Sequence, residues 1–86
     1  MSFRVEFTRL SLEYLRTIPS KHQEQILRKT ESLADDPFPS GCKALKGKLA
    51  GKHRVRSGDY RIMYQVRDRE LLIIVVKVGQ RSQVYR

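Results

Sequence analysis

The chain has 86 residues, and its 18 Lys and Arg against nine Asp and Glu give a formal net charge of +9. A chain of this length is expected to form a single domain, residues 1–86, whose small core leaves function to an exposed face. The charge favours a polyanionic partner, either a nucleic acid or an acidic protein, over a membrane. The single Cys42 excludes an internal disulfide, and neither a signal peptide nor a membrane-spanning run is evident, so we expect a cytoplasmic protein.

The N-terminal residues predict a strand followed by a helix. Phe3, Val5 and Phe7 alternate with polar residues, which is the pattern of a half-buried strand. Thr8 is predicted to cap a short helix that Pro19 ends. The apolar stripe of this helix is predicted to be Leu10, Tyr14, Leu15 and Ile18.

A second helix is predicted to follow at once. Ser20 and Gln23 have the spacing of a capping box, and residues 35–41, rich in Asp, Pro and Gly, end the helix. Residues 47–51 then form a basic connecting segment. The apolar stripe of this helix is predicted to be Ile26, Leu27, Thr30, Leu33 and Ala34.

Three strands are predicted in the C-terminal third, at about residues 52–57, 60–67 and 70–78. Short turn-like segments separate them, so consecutive strands should pair as antiparallel hairpins. The expected fold is α+β, in the order β-α-α-β-β-β, with two N-terminal helices packed on one face of a small antiparallel β-sheet.

Strict alternation divides these strands into two faces. The face towards the helices is predicted to consist of His53, Val55, Ile62, Tyr64, Val66, Leu72, Ile74, Val76 and Val78. The opposite face is predicted to be concave and bare, with the cations Lys52, Arg54, Arg56, Arg61 and Lys77. A cationic stripe with almost no acidic residues is typical of a phosphate-binding surface, and a merely solvated strand face is the alternative.

Other reactive side chains have simpler interpretations. Parity places His53 on the core side, which favours a packed histidine over a general base. Cys42 has no local His partner, so a catalytic thiol is not expected. Two scattered histidines and one cysteine make no ligand spacing, and we expect neither a metal nor another cofactor. Tyr60 and Tyr64 are expected to pack in the sheet, whereas Tyr85 has no evident core role.

Two segments resemble RelE-type toxins of the RelE/ParE superfamily. They are residues 53–62 (HRVRSGDYRI) and residues 78–85, where Val78-Gly79-Gln80-Arg81 and Val84-Tyr85 carry the match. The resemblance covers essentially the whole chain, because the element order and Leu45-Lys46-Gly47 also fit. It implies a toxin of a type II toxin–antitoxin pair that cuts mRNA in the ribosomal A site and inhibits translation. The implied partners are the ribosome, its mRNA and an acidic antitoxin.

The resemblance also implies roles for individual residues in a metal-independent cleavage by the RNA 2′-hydroxyl. Arg61 matches the arginine that stabilises the transition state, and Arg81 the one at the leaving group. Tyr85 matches the tyrosine that orients or activates the nucleophile, and Lys52 and Arg54 match a basic pair on a strand. Further phosphate contacts are expected from Arg56, Lys46, Lys48 and Lys77.

One departure from the family pattern affects the general base. Some members have a lysine at the position of Arg54, and an arginine guanidinium is not deprotonated in proteins. A base role then belongs to Lys52, if its cationic neighbours favour the neutral amine, or to Tyr85. Arg54 is expected to stabilise charge instead.

Two other functions remain open. A ParE-like member would poison DNA gyrase by protein contact, and a simple nucleic-acid binder would have no catalytic role. The full set of basic and tyrosine side chains favours the endoribonuclease, since ParE-type proteins generally lack it. A binder of single strands would be expected to interleave exposed aromatic residues with the basic stripe, and this chain does not.

Overall fold

The computed structural model describes residues 2–80, which form two helices and five strands. The elements are β1 (Arg4–Phe7), α1 (Arg9–Thr17), α2 (Ser20–Leu33), β2 (Lys43–Ala44), β3 (Lys52–Ser57), β4 (Tyr60–Arg67) and β5 (Leu72–Gln80). This confirms the α+β class and the predicted order, to which β2 is an addition. A strand of two residues is too short to show alternation, so no sequence pattern marks it. No helix within residues 2–80 has the length and apolar character needed to cross a membrane.

The strands form one sheet in the order β1-β5-β4-β3-β2. The pairs β2–β3, β3–β4 and β4–β5 are antiparallel as predicted, whereas β1 runs parallel to β5. The parallel pair arises because β1 leaves the sheet through both helices, and the chain returns beside it only with its last strand. Helix α1 packs mainly on β5, and α2 packs against β1 and β3.

The two helices begin in different ways. The Thr8 cap is confirmed, since its Oγ1 accepts a hydrogen bond from the Ser11 N–H at 3.2 Å. The capping box of Ser20 and Gln23 is wrong, because Pro19 occupies the N-cap position of α2. Gln23 Nε2 instead donates to the Ile18 carbonyl at 2.7 Å. Helix α2 starts so soon after α1 that this side chain serves a free carbonyl at the end of α1.

The buried face of α1 is rotated by one residue from the prediction. Leu10 is 76% exposed, and Ser11 is buried in its place. The Ser11 hydroxyl lies 2.8 Å from the Thr8 carbonyl and 3.0 Å from the Val75 carbonyl, so it ties the helix to β5. The remaining predictions for the two apolar stripes are confirmed in part. The residues that are buried as predicted are Leu15 and Ile18 at α1, and Ile26, Thr30 and Leu33 in α2.

A bulge at Val76 changes the parity of β5. Met63 lies opposite Lys77 while the next residue, Tyr64, lies opposite Val75, so Val76 has no partner in β4. Alternation therefore reverses at this point, and the core receives Ile73 and Val75. The prediction for this part of β5 is wrong for Leu72, Ile74 and Val76.

The loop between α2 and β2 is attached to the sheet by aromatic side chains. The Tyr64 hydroxyl donates a hydrogen bond to the Pro37 carbonyl at 2.7 Å, and Tyr64 is fully buried. The rings of Phe38 and His53 meet edge to face with centroids 4.9 Å apart. The predicted packing roles of Tyr64 and His53 are thus confirmed, and the loop is held over the end of the core.

Replacing Tyr64 with phenylalanine tests this attachment. The change leaves the Pro37 carbonyl without its donor, and we expect the free energy of unfolding to fall by about 1–2 kcal/mol at neutral pH. Burial, and secondarily the nearby Cys42, raises the pKa of the Tyr64 hydroxyl above its ordinary value of 10.0.

The raised pKa gives the same comparison a pH dependence. The stabilisation by the protonated hydroxyl is complete below pH 10 and is lost as the pH rises from there towards the folded-state pKa. The difference between wild type and Tyr64→Phe in urea denaturation should therefore shrink above pH 10. A difference that grows with pH would contradict the buried, protonated hydroxyl.

Candidate nucleic-acid interface

The register of the sheet gathers the predicted cations on the face opposite the helices, which we call the cationic face. Residues directly opposite one another form rows across the strands, and those rows can be followed from edge to edge. Three rows of this face contain the predicted cations: Arg56–Arg61–Gly79, Lys43–Arg54–Met63–Lys77 and Lys52–Gln65–Ile74–Glu6. Neighbours in a row are about 4.8 Å apart, and successive rows are about 6.8 Å apart along the strands.

The arginines of this face lie close together. Arg56 lies directly opposite Arg61. Arg54 is the diagonal neighbour of Arg61, with their backbones roughly 7–8 Å apart. Lys52 is in the third row, about 14 Å along the strand from the Arg61 row, and reaches it only with an extended side chain.

The other predicted site residues lie at or beyond the ends of these rows. Lys46 and Lys48 are exposed in the connection from β2 to β3. This connection joins the sheet at the Lys52 end, where the Leu45 N–H donates to the Lys52 carbonyl at 2.9 Å. Arg81 and Tyr85 lie outside the described residues.

The centre of the cationic face is less exposed than predicted. Arg61 is 8% exposed and Met63 only 2%, while Arg56 and Lys77 at its sides are exposed. Met63 lies between Arg54 and Lys77, whose long side chains shield it from water. A guanidinium in such a position acts on an anion through a lower dielectric than one in open solvent.

The cationic face has very little compensating negative charge. Glu6 is the sole acidic residue in the described strands, and it pairs with Arg4 at 3.1 Å on the far edge of the sheet. None of the four ion pairs within residues 2–80 involves Lys43, Lys52, Arg56 or Lys77. Like charges directly opposite one another destabilise a sheet, and a bound anion would offset that cost.

Other chemically reactive groups lie away from the cationic face. His53 contacts Tyr64 on the core side, and its Nδ1 is buried without a hydrogen-bond partner in the part of the chain described. His22 packs on Tyr60 with ring centroids 5.4 Å apart. Residues 2–80 contain no group of three His, Cys, Asp or Glu side chains placed to hold a metal ion.

Lys43 and Gly79 are two of the residues on the cationic face that the sequence prediction did not name. Lys43 belongs to it only because β2 pairs with β3, and a strand of two residues shows no alternation that would reveal this. Gly79 belongs to it because the bulge sets the parity of β5. The available signal for Lys43 was its position in a basic segment just before the predicted strands.

Comparisons with known proteins agree with this architecture. Residues 5–85 match the family described as "ParE toxin of type II toxin-antitoxin system, parDE", and the chain belongs to this family. A putative RelE-like toxin protein from Escherichia coli is 32% identical over 99% of this chain and 92% of its own length. The mRNA interferase toxin RelE of Escherichia coli K12 is 30% identical over the same shares.

A solved structure shows the same fold. The archaeal RelE–RelB complex from Pyrococcus horikoshii contains a chain that matches with a TM-score of 0.82 and 27% identity, covering 98% of this chain and all of that one. Within its family, the chain is therefore a RelE-like toxin of the RelE/ParE superfamily.

The repulsion between Arg56 and Arg61 leads to a testable trade-off. Arg56→Gln removes one of two like charges that stand directly opposite each other, and we expect the free energy of unfolding to rise by about 0.2–1 kcal/mol. The affinity for a short RNA should fall at the same time.

The matched control is Arg69→Gln, which removes one positive charge from an exposed position outside the strands. It should leave both stability and affinity close to wild type. Urea denaturation and fluorescence titration measure the two quantities. A loss of stability in Arg56→Gln would contradict the assignment of repulsion at this pair.

Proposed function

We propose that this protein is a ribosome-dependent endoribonuclease that cleaves mRNA in the A site and so inhibits translation. The observation that supports it most is the partly buried Arg61 among further cations on a face with almost no negative charge. The name of the relative called mRNA interferase toxin RelE points in the same direction. The substrate class is a phosphodiester with a neighbouring 2′-hydroxyl.

The reaction needs charge stabilisation more than any other assistance. The 2′-oxygen attacks the adjacent phosphorus, the bond from phosphorus to the 5′-oxygen breaks, and negative charge builds up on the non-bridging oxygens. Arg61, with Arg54 and Arg56 beside it, supplies preorganised cations at that position. The products are a 2′,3′-cyclic phosphate and a free 5′-hydroxyl.

Two proton transfers complete the reaction. The base that takes the 2′-hydroxyl proton is Lys52 or Tyr85, because the guanidinium of Arg54 stays charged. Arg81 stabilises the 5′-oxygen as it leaves by donating a hydrogen bond to it, and the proton that this oxygen takes up comes from water. No residue in this scheme requires a metal ion or an organic cofactor.

The ribosome is assigned the task of orienting the substrate. Lysine and tyrosine side chains are ordinarily protonated at neutral pH and are therefore weak general bases there, and Lys52 lies two rows from Arg61. Holding the 2′-hydroxyl in line with the scissile bond is worth several kcal/mol in effective-molarity terms, which roughly matches what a weak base lacks. Because the A site orients the substrate, a cytoplasmic toxin of this kind would leave free RNA uncleaved.

An acidic antitoxin is the proposed protein partner. The net charge of +9 and the like-charge rows on the cationic face attract any polyanion, including RNA that is not a substrate. An acidic chain that covers Arg61, Arg81 and Tyr85 would prevent that binding and inhibit the enzyme. The structure solved for the archaeal relative is a complex of RelE with a second component, RelB, which supports a protein partner here.

Gyrase inhibition is the competing function, and the match to a family described as ParE toxin favours it. A protein of that kind binds gyrase through protein contacts and needs no cationic catalytic centre. The rows around Arg61 have no role in it, which is why we place the endoribonuclease first.

The central residues can be tested by substitution. Arg61→Ala and Arg81→Ala should each reduce mRNA cleavage by roughly two to three orders of magnitude, because each removes a cation worth about 2–4 kcal/mol opposite developing charge. Primer extension on translated messages measures the rate. Arg61→Lys keeps the charge and should recover part of it, which separates lost charge from lost packing.

Circular dichroism and thermal unfolding serve as the folding control for these variants. Cleavage at the wild-type rate by folded Arg61→Ala would remove this residue from the proposed site.

The three candidate functions predict different results in one set of reactions. The purified protein is mixed separately with free RNA, with programmed ribosomes and with supercoiled DNA plus gyrase. We expect negligible cutting of free RNA and strong cutting of ribosome-bound mRNA, with 2′,3′-cyclic phosphate ends. Trapped DNA breaks with intact mRNA would identify a gyrase poison, and binding without any cleavage would identify a nucleic-acid binder.

A further inference from the structure

We propose that Lys43 forms, with Arg54 and Lys77, a subsite for the mRNA phosphate next to the one that is cleaved. The inference rests on the proposed function, because it takes the scissile phosphate to lie at Arg61. The ligand is one phosphodiester of the same RNA strand. Lys43 and Lys77 would hold the message in register without taking part in the chemistry, whereas Arg54 lies between the two phosphates and also serves the scissile one.

The position of Lys43 follows from the pairing of β2 with β3. Lys43 lies directly opposite Arg54, so both side chains leave the sheet on the cationic face. Lys43 is exposed, and no ion pair within residues 2–80 involves it. An exposed lysine directly opposite an arginine is repelled by it, and an anion bound between them would relieve that repulsion.

The backbone on both sides of Lys43 is held in place. The Cys42 N–H donates to the Pro39 carbonyl at 3.0 Å, and the Leu45 N–H donates to the Lys52 carbonyl at 2.9 Å. The bond from Tyr64 to Pro37 attaches the preceding loop to the core. The lysine therefore starts from an ordered strand, which reduces the entropy lost when its ammonium group binds an anion.

Lys77 closes the subsite from the other side. It lies in the same row, beyond the buried Met63, so its backbone is about 10 Å from that of Arg54. Lysine and arginine side chains are long enough to reach a common point above Met63 from both sides. Arg54 and Lys77 thus flank a small apolar floor at Met63, and Lys43 approaches it from beyond Arg54, so an oxyanion there can receive hydrogen bonds from both sides.

The spacing of the rows matches the repeat of an RNA backbone. The Lys43–Arg54–Met63–Lys77 row lies about 6.8 Å along the strands from the row of Arg61, which is comparable to the separation of consecutive phosphates in an extended strand. A message that places its scissile phosphate at Arg61 and runs along β3 therefore places a neighbouring phosphate over Met63.

The test uses ribosomes programmed with a short message, with the P site filled and the A site empty. A 2′-deoxy nucleotide at the cleavage position keeps the message intact during binding. A single uncharged methylphosphonate is then placed on either side of the scissile phosphate. Affinities are measured for wild type, for Lys43→Gln and for the matched control Lys21→Gln, which removes one exposed lysine from α2.

The expected result is a coupling between Lys43 and one phosphate. In the wild type, a methylphosphonate at one of the two neighbouring positions should weaken binding by roughly twofold to fivefold. Lys43→Gln should lose a similar factor and be less sensitive to that methylphosphonate than the wild type, because only Arg54 and Lys77 then remain at the subsite. Lys21→Gln should bind nearly as wild type and keep the full sensitivity.

Salt dependence gives a second measurement that does not use the ribosome. With a single-stranded RNA oligonucleotide, the slope of log K against log salt should be smaller by about 0.7 for Lys43→Gln than for Lys21→Gln. Thermal unfolding of both variants controls for folding.

Several outcomes would overturn the proposal. Equal slopes for the two variants would do so, as would a Lys43→Gln protein that responds to both methylphosphonates as the wild type does. A loss of ribosome binding that no change in the message reproduces would assign Lys43 to ribosomal RNA, contrary to the proposal. Cleavage of the unmodified message is followed in parallel. If the message is not cleaved, the proposed function is contradicted. If it is cleaved but Lys43 shows no coupling to a neighbouring phosphate, only this inference is contradicted.

Discussion

The register of the β3–β4 hairpin is the constraint on which the candidate site depends. Val55 and Ile62 meet on the core side, and Arg56 and Arg61 meet on the other. Gly58, with a positive φ of 60°, allows the two-residue connection that sets this pairing. A slip by one residue would turn arginines into the core, where an uncompensated charge costs several kcal/mol. The energy that packs the core therefore also positions the cations.

The bulge in β5 extends this arrangement to a third strand. Because Val76 is left out of the pairing, Lys77 and Gly79 fall on the cationic face while Val75 and Val78 both reach the core. A regular strand could not meet both requirements with this sequence, since residues 75 and 78 have opposite parity. Bulges often redirect side chains near functional sites, and here the bulge places Lys77 in the row of Arg54, beyond Met63, and leaves no side chain on the β5 side of Arg61.

Much of this organisation could be predicted from the sequence, for physical reasons that differ between elements. Alternation in β3 and β4 is regular, so the faces of Arg54, Arg56 and Arg61 follow from period two alone. The Thr8 cap could also be predicted, because threonine is a preferred N-cap residue and an apolar helical pattern follows it.

The errors in the sequence prediction have a common cause: at each of these positions, contacts with distant parts of the chain determine the structure. Leu10 and Ser11 exchanged places because the serine hydroxyl meets a carbonyl of β5, a partner 64 residues away. Gln23 serves the end of α1 instead of its own helix. Lys43 joins the site only through the pairing of a strand too short to be seen in the sequence. The roles of Arg81 and Tyr85 come from the family resemblance, not from periodicity.

The measurement that tests the central claim most directly is cleavage of a message with a single missing 2′-hydroxyl. If the cationic face promotes attack by that oxygen, a 2′-deoxy substitution at the nucleotide 5′ to the scissile phosphate should abolish cutting at that bond on programmed ribosomes. The same substitution one nucleotide further along should have little effect. Undiminished cleavage at the substituted position would contradict the account, because the phosphodiester would then be broken by a different nucleophile.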